Sequence, residues 1–286
     1  MNGRKVGRTA LSAFCGALFS AHAWAAPAIA DHTTIDPGDE VIPQQWLDRA
    51  RTLDVYFGHQ SVGANMLEGL KLLARQKPQR YRLVVRPEPS RFSLSALYRR
   101  FSGDPHKQSG IEQFFVGRNG EPEGKIADFS RRMAGEGRTA DVAMMKLCFV
   151  DFQDPKTDPA RLFADYRTGM ERLEKSHPKV RFVWWTVPLM SGGNHLRNAY
   201  NRLIRTYAAT HDKPLYDIAD IESHDLQGRQ VMHDGEPVMY AGYTQDGGHL
   251  TTEGKLRAAR AWWWLAARLA GWPGPETVGS ARQGSQ

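Results

Sequence analysis

Apolar positions along the chain follow two alternating rhythms. Short runs of β-branched and aromatic residues read as buried strands at 53–57, 81–85, 141–147, 180–187 and 214–218, the fourth ending at Pro188. Between them lie longer segments whose apolar residues recur every three or four positions, the pattern of a helix with one face inside. The first is 61–76, with Val62, Met66, Leu70 and Leu73 in register; 125–134, 159–176, 194–210 and 252–269 follow. The stretch 86–123 is rich in Pro, Gly and Ser with little period, and is expected to form long loops with one short helix at 93–101. Long irregular segments inside a compact domain are commonly functional.

Parallel neighbours need a crossover helix, and strands buried on both faces read as continuous apolar runs. The alternation therefore predicts a three-layer α/β/α sandwich around a central parallel sheet. Trp262, Trp263 and Trp264 occupy successive positions of the last helix, so at least one must lie at a rim or against the tail.

Composition narrows the picture. At 286 residues and 41% hydrophobic content the chain can bury a sizeable core, which excludes a disordered or fibrous protein. Arg4, Lys5 and Arg8 precede a mostly apolar stretch, and small-x-small sites end at Ala25 and Ala30. The expectation is a secretory leader within 1–30, one domain over 31–270 and a frayed tail over 271–286, with the protein periplasmic or extracellular. Removing the leader's three cations lowers the formal charge from +7 to +4, which argues against a nucleic-acid partner. It also leaves Cys148 without a disulfide partner, and no later stretch approaches the length of a membrane span.

In open parallel sheets ligands bind outside the carboxyl ends of the strands, so residues just after each strand are the first candidates for chemistry. Ser61 falls at the first strand-to-helix turn, where free backbone N–H groups can stabilise an oxyanion; a plain helix cap is the alternative. Asp246 stands three residues before His249 on a Gly-containing turn ahead of the last helix, so the carboxylate can hold one imidazole nitrogen while the other faces a nucleophile. Together they give the chain order Ser, Asp, His on an α/β fold.

On these residues the sequence resembles the SGNH (GDSL-like) hydrolase superfamily. That group carries its nucleophile in a Gly-Asp-Ser block after the first strand and an Asp-x-x-His block near the C-terminus. Residues 58–61 and 246–249 correspond to them in place and order, and the resemblance spans 53–269. It implies a flavodoxin-like fold and ester hydrolysis by Ser61, Asp246 and His249, with no metal or organic cofactor. The substrate would be an acyl ester, with acylated carbohydrate among the candidates.

The chain departs from the superfamily in two places. The first block reads Gly58-His59-Gln60-Ser61, one residue longer and without the acid. The third block, expected after the strand at 141–147, lacks the Asn that serves the oxyanion, and Asp151 falls near that position. The expected oxyanion donors are therefore the Ser61 N–H with Gly117 and Asn119, while His59, Gln60 and Asp151 are candidates for touching substrate. Three other readings stay open: a glycan-binding protein whose catalysis has decayed, an acyltransferase using the same triad, and Cys148 as nucleophile. A metal centre built from His59, His233, His249, Asp234 and Asp246 has no helical His-x-x-x-His or paired cysteines behind it.

Overall fold

A computed structural model of the chain describes residues 28–35, 40–86 and 109–275. The helix expected at 93–101 lies outside them, as do residues 1–27 and 276–286.

The strands are β1 (Ile29–Ala30), β2 (Asp54–His59), β3 (Val85–Arg86), β4 (Gly110–Phe115), β5 (Val142–Met145), β6 (Arg181–Trp185) and β7 (Leu215–Tyr216), with a short hairpin of β8 (Met232–His233) and β9 (Glu236–Pro237). The helices are α1 (Gln44–Ala50), α2 (Ser61–Gln76), α3 (Pro122–Met133), α4 (Pro159–Ser176), α5 (His195–Thr210), α6 (Ile218–Ser223) and α7 (Thr252–Leu269). The first seven strands form one parallel sheet in the order β1-β7-β6-β5-β2-β4-β3.

Every residue of β2 is buried, as a central parallel strand requires. The two faces are seen most directly at Trp184 and Trp185. Trp185 stacks near Phe57 at 5.2 Å and belongs to the core under α1, α2, α6 and α7. Trp184 points the other way, against Tyr166 and Tyr207, into the core under α3, α4 and α5. The sandwich is thus three layers deep, as the alternation of periods predicts.

The chain leaves β2 to build β3 and β4 on one side, then crosses to build β5, β6 and β7 on the other. The strand order reverses at β2, and the crevice at such a reversal is where ligands sit in this architecture. Ser61 begins the helix that leaves this strand.

Several expectations need correction. The stretch assigned to loops contains β4, which pairs with β2 along its whole length. Its middle residues Glu112 and Gln113 hide it, because they are polar yet half-buried. Gln113 Oε1 meets His59 Nε2 at 2.7 Å and Glu112 lies 3.8 Å from Arg86, so partners inside the sheet satisfy them. Conversely, residues 81–84 are not strand; buried Tyr81 packs its ring on Trp263 instead.

Both domain boundaries move outward. Ile29 and Ala30 pair with Leu215 and Tyr216 in the sheet, and Ala30 is buried, so the domain begins before residue 31. Trp272 is also buried and packs edge-on against half-buried Trp264, so the domain runs past 270 and Trp264 is the tryptophan at the rim.

Candidate active site

Gln60, extended in its backbone, is the N-cap of α2, and the first bond of the helix runs from Ala64 N–H to Gln60 O at 3.1 Å. The N–H groups of Ser61, Val62 and Gly63 come before that bond and carry the positive end of the helix dipole. Ser61 is half-buried at this terminus. The Gln60 amide ties the exit of β2 to that of β4, donating to Val116 O at 2.8 Å and Gly117 O at 3.3 Å.

The second part of the site is the loop entering α7. Gly247 adopts φ +85, a left-handed turn that folds the following N–H groups back onto the Asp246 carboxylate. Oδ1 accepts from Gly248 N at 3.0 Å and His249 N at 2.8 Å, while Oδ2 meets His249 Nδ1 at 2.6 Å. The backbone N–H of His249, its ring and the Gly248 N–H, in that order of effect, hold the Asp246 carboxyl well below the usual carboxylate range. An ionised Asp246 selects the tautomer with the proton on Nδ1, leaving Nε2 as the basic nitrogen. The Phe149 ring meets the imidazole edge-on at 5.5 Å. Both partners remain open to solvent, the His249 side chain 44% and the Asp246 side chain 57% exposed. With Gln245, Leu250 and Thr251 they line a shallow depression.

Asn65 joins the two parts. It lies one helical turn after Ser61, and its Oδ1 accepts from Leu250 N–H, the residue after His249, at 3.0 Å. A second tether, Ser191 N–H to Gly247 O at 2.9 Å, fixes the loop from the β6 side. The loop that carries the Asp246–His249 pair is thereby tied to the helix that Ser61 begins.

Other expected site residues are committed to the interior. His59 is buried, with Nδ1 at 2.8 Å from Gln60 O and Nε2 bonded to Gln113, so no ring nitrogen is left for a substrate. Burial lowers its pKa, against the opposite pull of its contacts with Gln60 and Gln113. Asp151 is also removed from the substrate-binding set: its side chain is fully buried in an ion pair with Lys125 Nζ at 2.7 Å, and it accepts from Gly120 N and Cys148 N. Losing one partner of such a pair costs about 3–5 kcal/mol, which marks it as structural. Gly117 N–H donates to Asp128 Oδ2 at 3.0 Å and is unavailable to an oxyanion. Asn119 is exposed; its Oδ1 accepts from Lys125, which leaves its amide N–H groups as donors. Cys148 is a free, buried thiol packed in the core, which removes it as a nucleophile.

The histidines of the conceivable metal centre are dispersed. His59 is internal, and His233 pairs with Asp234 at 3.3 Å on the exposed hairpin. Among the described residues the donor atoms that cluster are those of His32, Asp220 and His224, within 4.8 Å of one another. The two rings stack 3.5 Å apart and 6° from parallel. A metal lies near the plane of each imidazole it binds, and in-plane lone pairs on parallel rings run side by side without converging. The cluster acts as a clasp: His32 gives Asp220 both its backbone N–H at 2.9 Å and its Nδ1 contact at 2.5 Å, while His224 Nδ1 bonds Asp220 O at 2.7 Å.

Among solved structures the chain is similar to esterases and lipases. One is a GDSL-like lipase from Bacteroides thetaiotaomicron, with 12% identity over 76% of this chain and 87% of that chain and a TM-score of 0.43. Another is a carbohydrate esterase family 3 protein from Talaromyces cellulolyticus, with 14% identity over 73% of this chain and 94% of that chain and a TM-score of 0.44. No protein-family model and no curated protein matches the chain.

Asn65 and Phe149 have no counterpart among the expected site residues. The signal for Asn65 was a polar side chain four positions after a candidate nucleophile on an otherwise apolar helix stripe. Phe149 carried no distinguishing signal in the sequence.

Proposed function

We propose that the protein is a serine ester hydrolase in which Ser61 is the nucleophile, His249 the general base and Asp246 the carboxylate that orients it. The observation that carries this reading is the 2.6 Å Asp246–His249 pair on a loop hydrogen-bonded to the helix that Ser61 begins. His249 Nε2 takes the hydroxyl proton as Ser61 Oγ attacks the ester carbonyl, and Asp246 stabilises the imidazolium. The Ser61 N–H, supported by the α2 dipole and the Asn119 amide, receives the negative charge on the carbonyl oxygen. Collapse expels the alcohol, which takes the proton from His249, and water then releases the acid from the acyl-enzyme through the same base.

The open dyad and its polar neighbours Gln245 and Thr251 suit a hydroxylated, extended substrate, so an acylated polysaccharide is the favoured class. Residues 1–25 would act as an export leader, because a cut after Ala25 keeps β1 whole whereas a cut after Ala30 removes it. The mature protein would then meet its substrate outside the cytoplasm.

Hydrolysis of a short-chain chromogenic acetyl ester tests the reading. Ser61→Ala is expected to lower kcat/KM by about 1,000-fold or more with the fold retained. Turnover unchanged in folded Ser61→Ala protein would refute it. A glycan-binding protein without turnover is the second reading, favoured by one observation: Asp128 holds the Gly117 N–H that would otherwise serve an oxyanion. That reading expects glycan binding that Ser61→Ala leaves unaltered, and no hydrolysis.

A further inference from the structure

We propose that Asn65 is a positioning residue that sets the height of His249 over the start of α2, an inference that rests on the ester-hydrolase reading above. Within its own loop, Asp246 fixes the orientation of the His249 ring, but both residues ride on the same four-residue stretch. That pair therefore says nothing about where the loop stands relative to the helix that carries Ser61. The Asn65 Oδ1 contact, together with the close packing of α7 on α2, supplies that relation. Its donor, Leu250 N, belongs to the peptide unit that begins at the His249 carbonyl, so the 3.0 Å bond constrains the backbone that bears the imidazole. Its acceptor sits on the same face of α2 as Ser61, four residues on, with side-chain origins about 5–6 Å apart on such a face.

The rest of the loop is consistent with a two-point mount. Ser191 N–H holds Gly247 O from the side of β6, and Asn65 holds Leu250 from the side of α2. His249 lies between the two anchored residues along the chain. An Asn in a helix interior has lower helix propensity than Ala, and here its carboxamide satisfies a loop N–H. Displacing a reacting group by about 1 Å costs on the order of 100-fold in rate. Loss of the acceptor should therefore appear in the chemical step and leave ground-state binding of a small ester untouched.

The test uses the mature protein, a serine-directed fluorophosphonate and the chromogenic acetyl ester. Asn65→Ala is expected to slow fluorophosphonate labelling of Ser61 and to lower kcat by about 10- to 100-fold, with KM unchanged. Asn65→Asp keeps an acceptor oxygen at the same reach and is expected to return both rates to within a few-fold of wild type. A role confined to stability would lower the melting temperature of both variants without this split between kcat and KM or this rescue. Should the alanine variant fail to fold, Asn65→Leu, similar in size and lacking an acceptor, is compared with Asn65→Asp in its place. Labelling of the acceptor-less variant at the wild-type rate, or an aspartate variant as slow as the acceptor-less one, overturns the inference and leaves the hydrolase reading standing. Absence of label on Ser61 in wild type ends the hydrolase reading and this inference with it.

Discussion

Glu222 shows what burial does to a carboxyl in this protein. One oxygen accepts from Leu189 N–H at 2.7 Å, the other is buried without a partner among the described residues, and desolvation raises its pKa well above the usual value. Burial thus favours the neutral carboxyl in the folded chain over the ionised form that the unfolded chain takes up more readily. Its contribution to stability is therefore complete below the unfolded pKa and is lost as pH rises towards the folded one, by up to about 1.4 kcal/mol per pH unit. Urea unfolding followed upward from the ordinary carboxyl range is expected to show this decline, and Glu222→Gln is expected to flatten it; equal slopes in the two proteins would contradict the assignment. At this scale the sequence makes legible where Ser61 stands, at a helix start, and that Asp246 meets His249, because strand-to-helix turns and an Asp-x-x-His spacing have local geometry. It is not legible for His59, Gly117 and Asp151. Their roles depend on Gln113, Asp128 and Lys125, partners from separate positions in the chain whose proximity only the packed fold reveals.

Among the elements, α2 and α7 matter most for the site, since one begins with Ser61 and the other follows the His249 loop. They meet at Gly69, where an added Cβ would lie 2.0 Å from the backbone oxygen of Lys255. Backbone cannot yield as a side-chain tip can, so the helices must move apart. Gly69→Ala is expected to cost about 1–3 kcal/mol in denaturant unfolding and to lower turnover of the folded fraction by shifting the base from the nucleophile. Full stability and full turnover would show that the contact tolerates a methyl group. The helices at 61–76, 159–176 and 252–269 agree with the expected limits because their ends carry local signals, such as Asp158 capping Ala160 and Arg161 ahead of α4 and Thr251 capping Gly254 ahead of α7. β4 escapes because its polar middle is satisfied across the sheet, and β1 because its two residues fall within the stretch that reads as a leader.

Across the whole molecule, the N-terminal segment closes one edge of the sheet. β1 extends it beyond β7, and the clasp of His32 to Asp220, 188 positions away in the chain, fastens the residues that follow. Export should accordingly yield a mature chain beginning at Ala26, read by mass spectrometry of the secreted protein. A chain starting at Asp31 should melt at a lower temperature than one starting at Ala26. Equal melting temperatures would mean that β1 adds nothing to stability. The alternation of strand and helix periods was enough to predict the layered architecture, because buried parallel strands and their crossover helices each leave a pattern along the chain. The strand order was not legible, since pairing between strands is decided by contacts far apart in sequence. Such contacts also tie the loop that bears His249 to the helix that Ser61 begins, through Asn65 and Leu250, and the central claim concerns what the two residues do together. Its most direct test is to treat the mature protein with a fluorophosphonate and map the adduct by mass spectrometry, beside His249→Ala. The account predicts one adduct, on Ser61, formed rapidly in wild type and slowed by orders of magnitude without the imidazole. A folded protein that takes up no label, or labels Ser61 equally fast without His249, would contradict it.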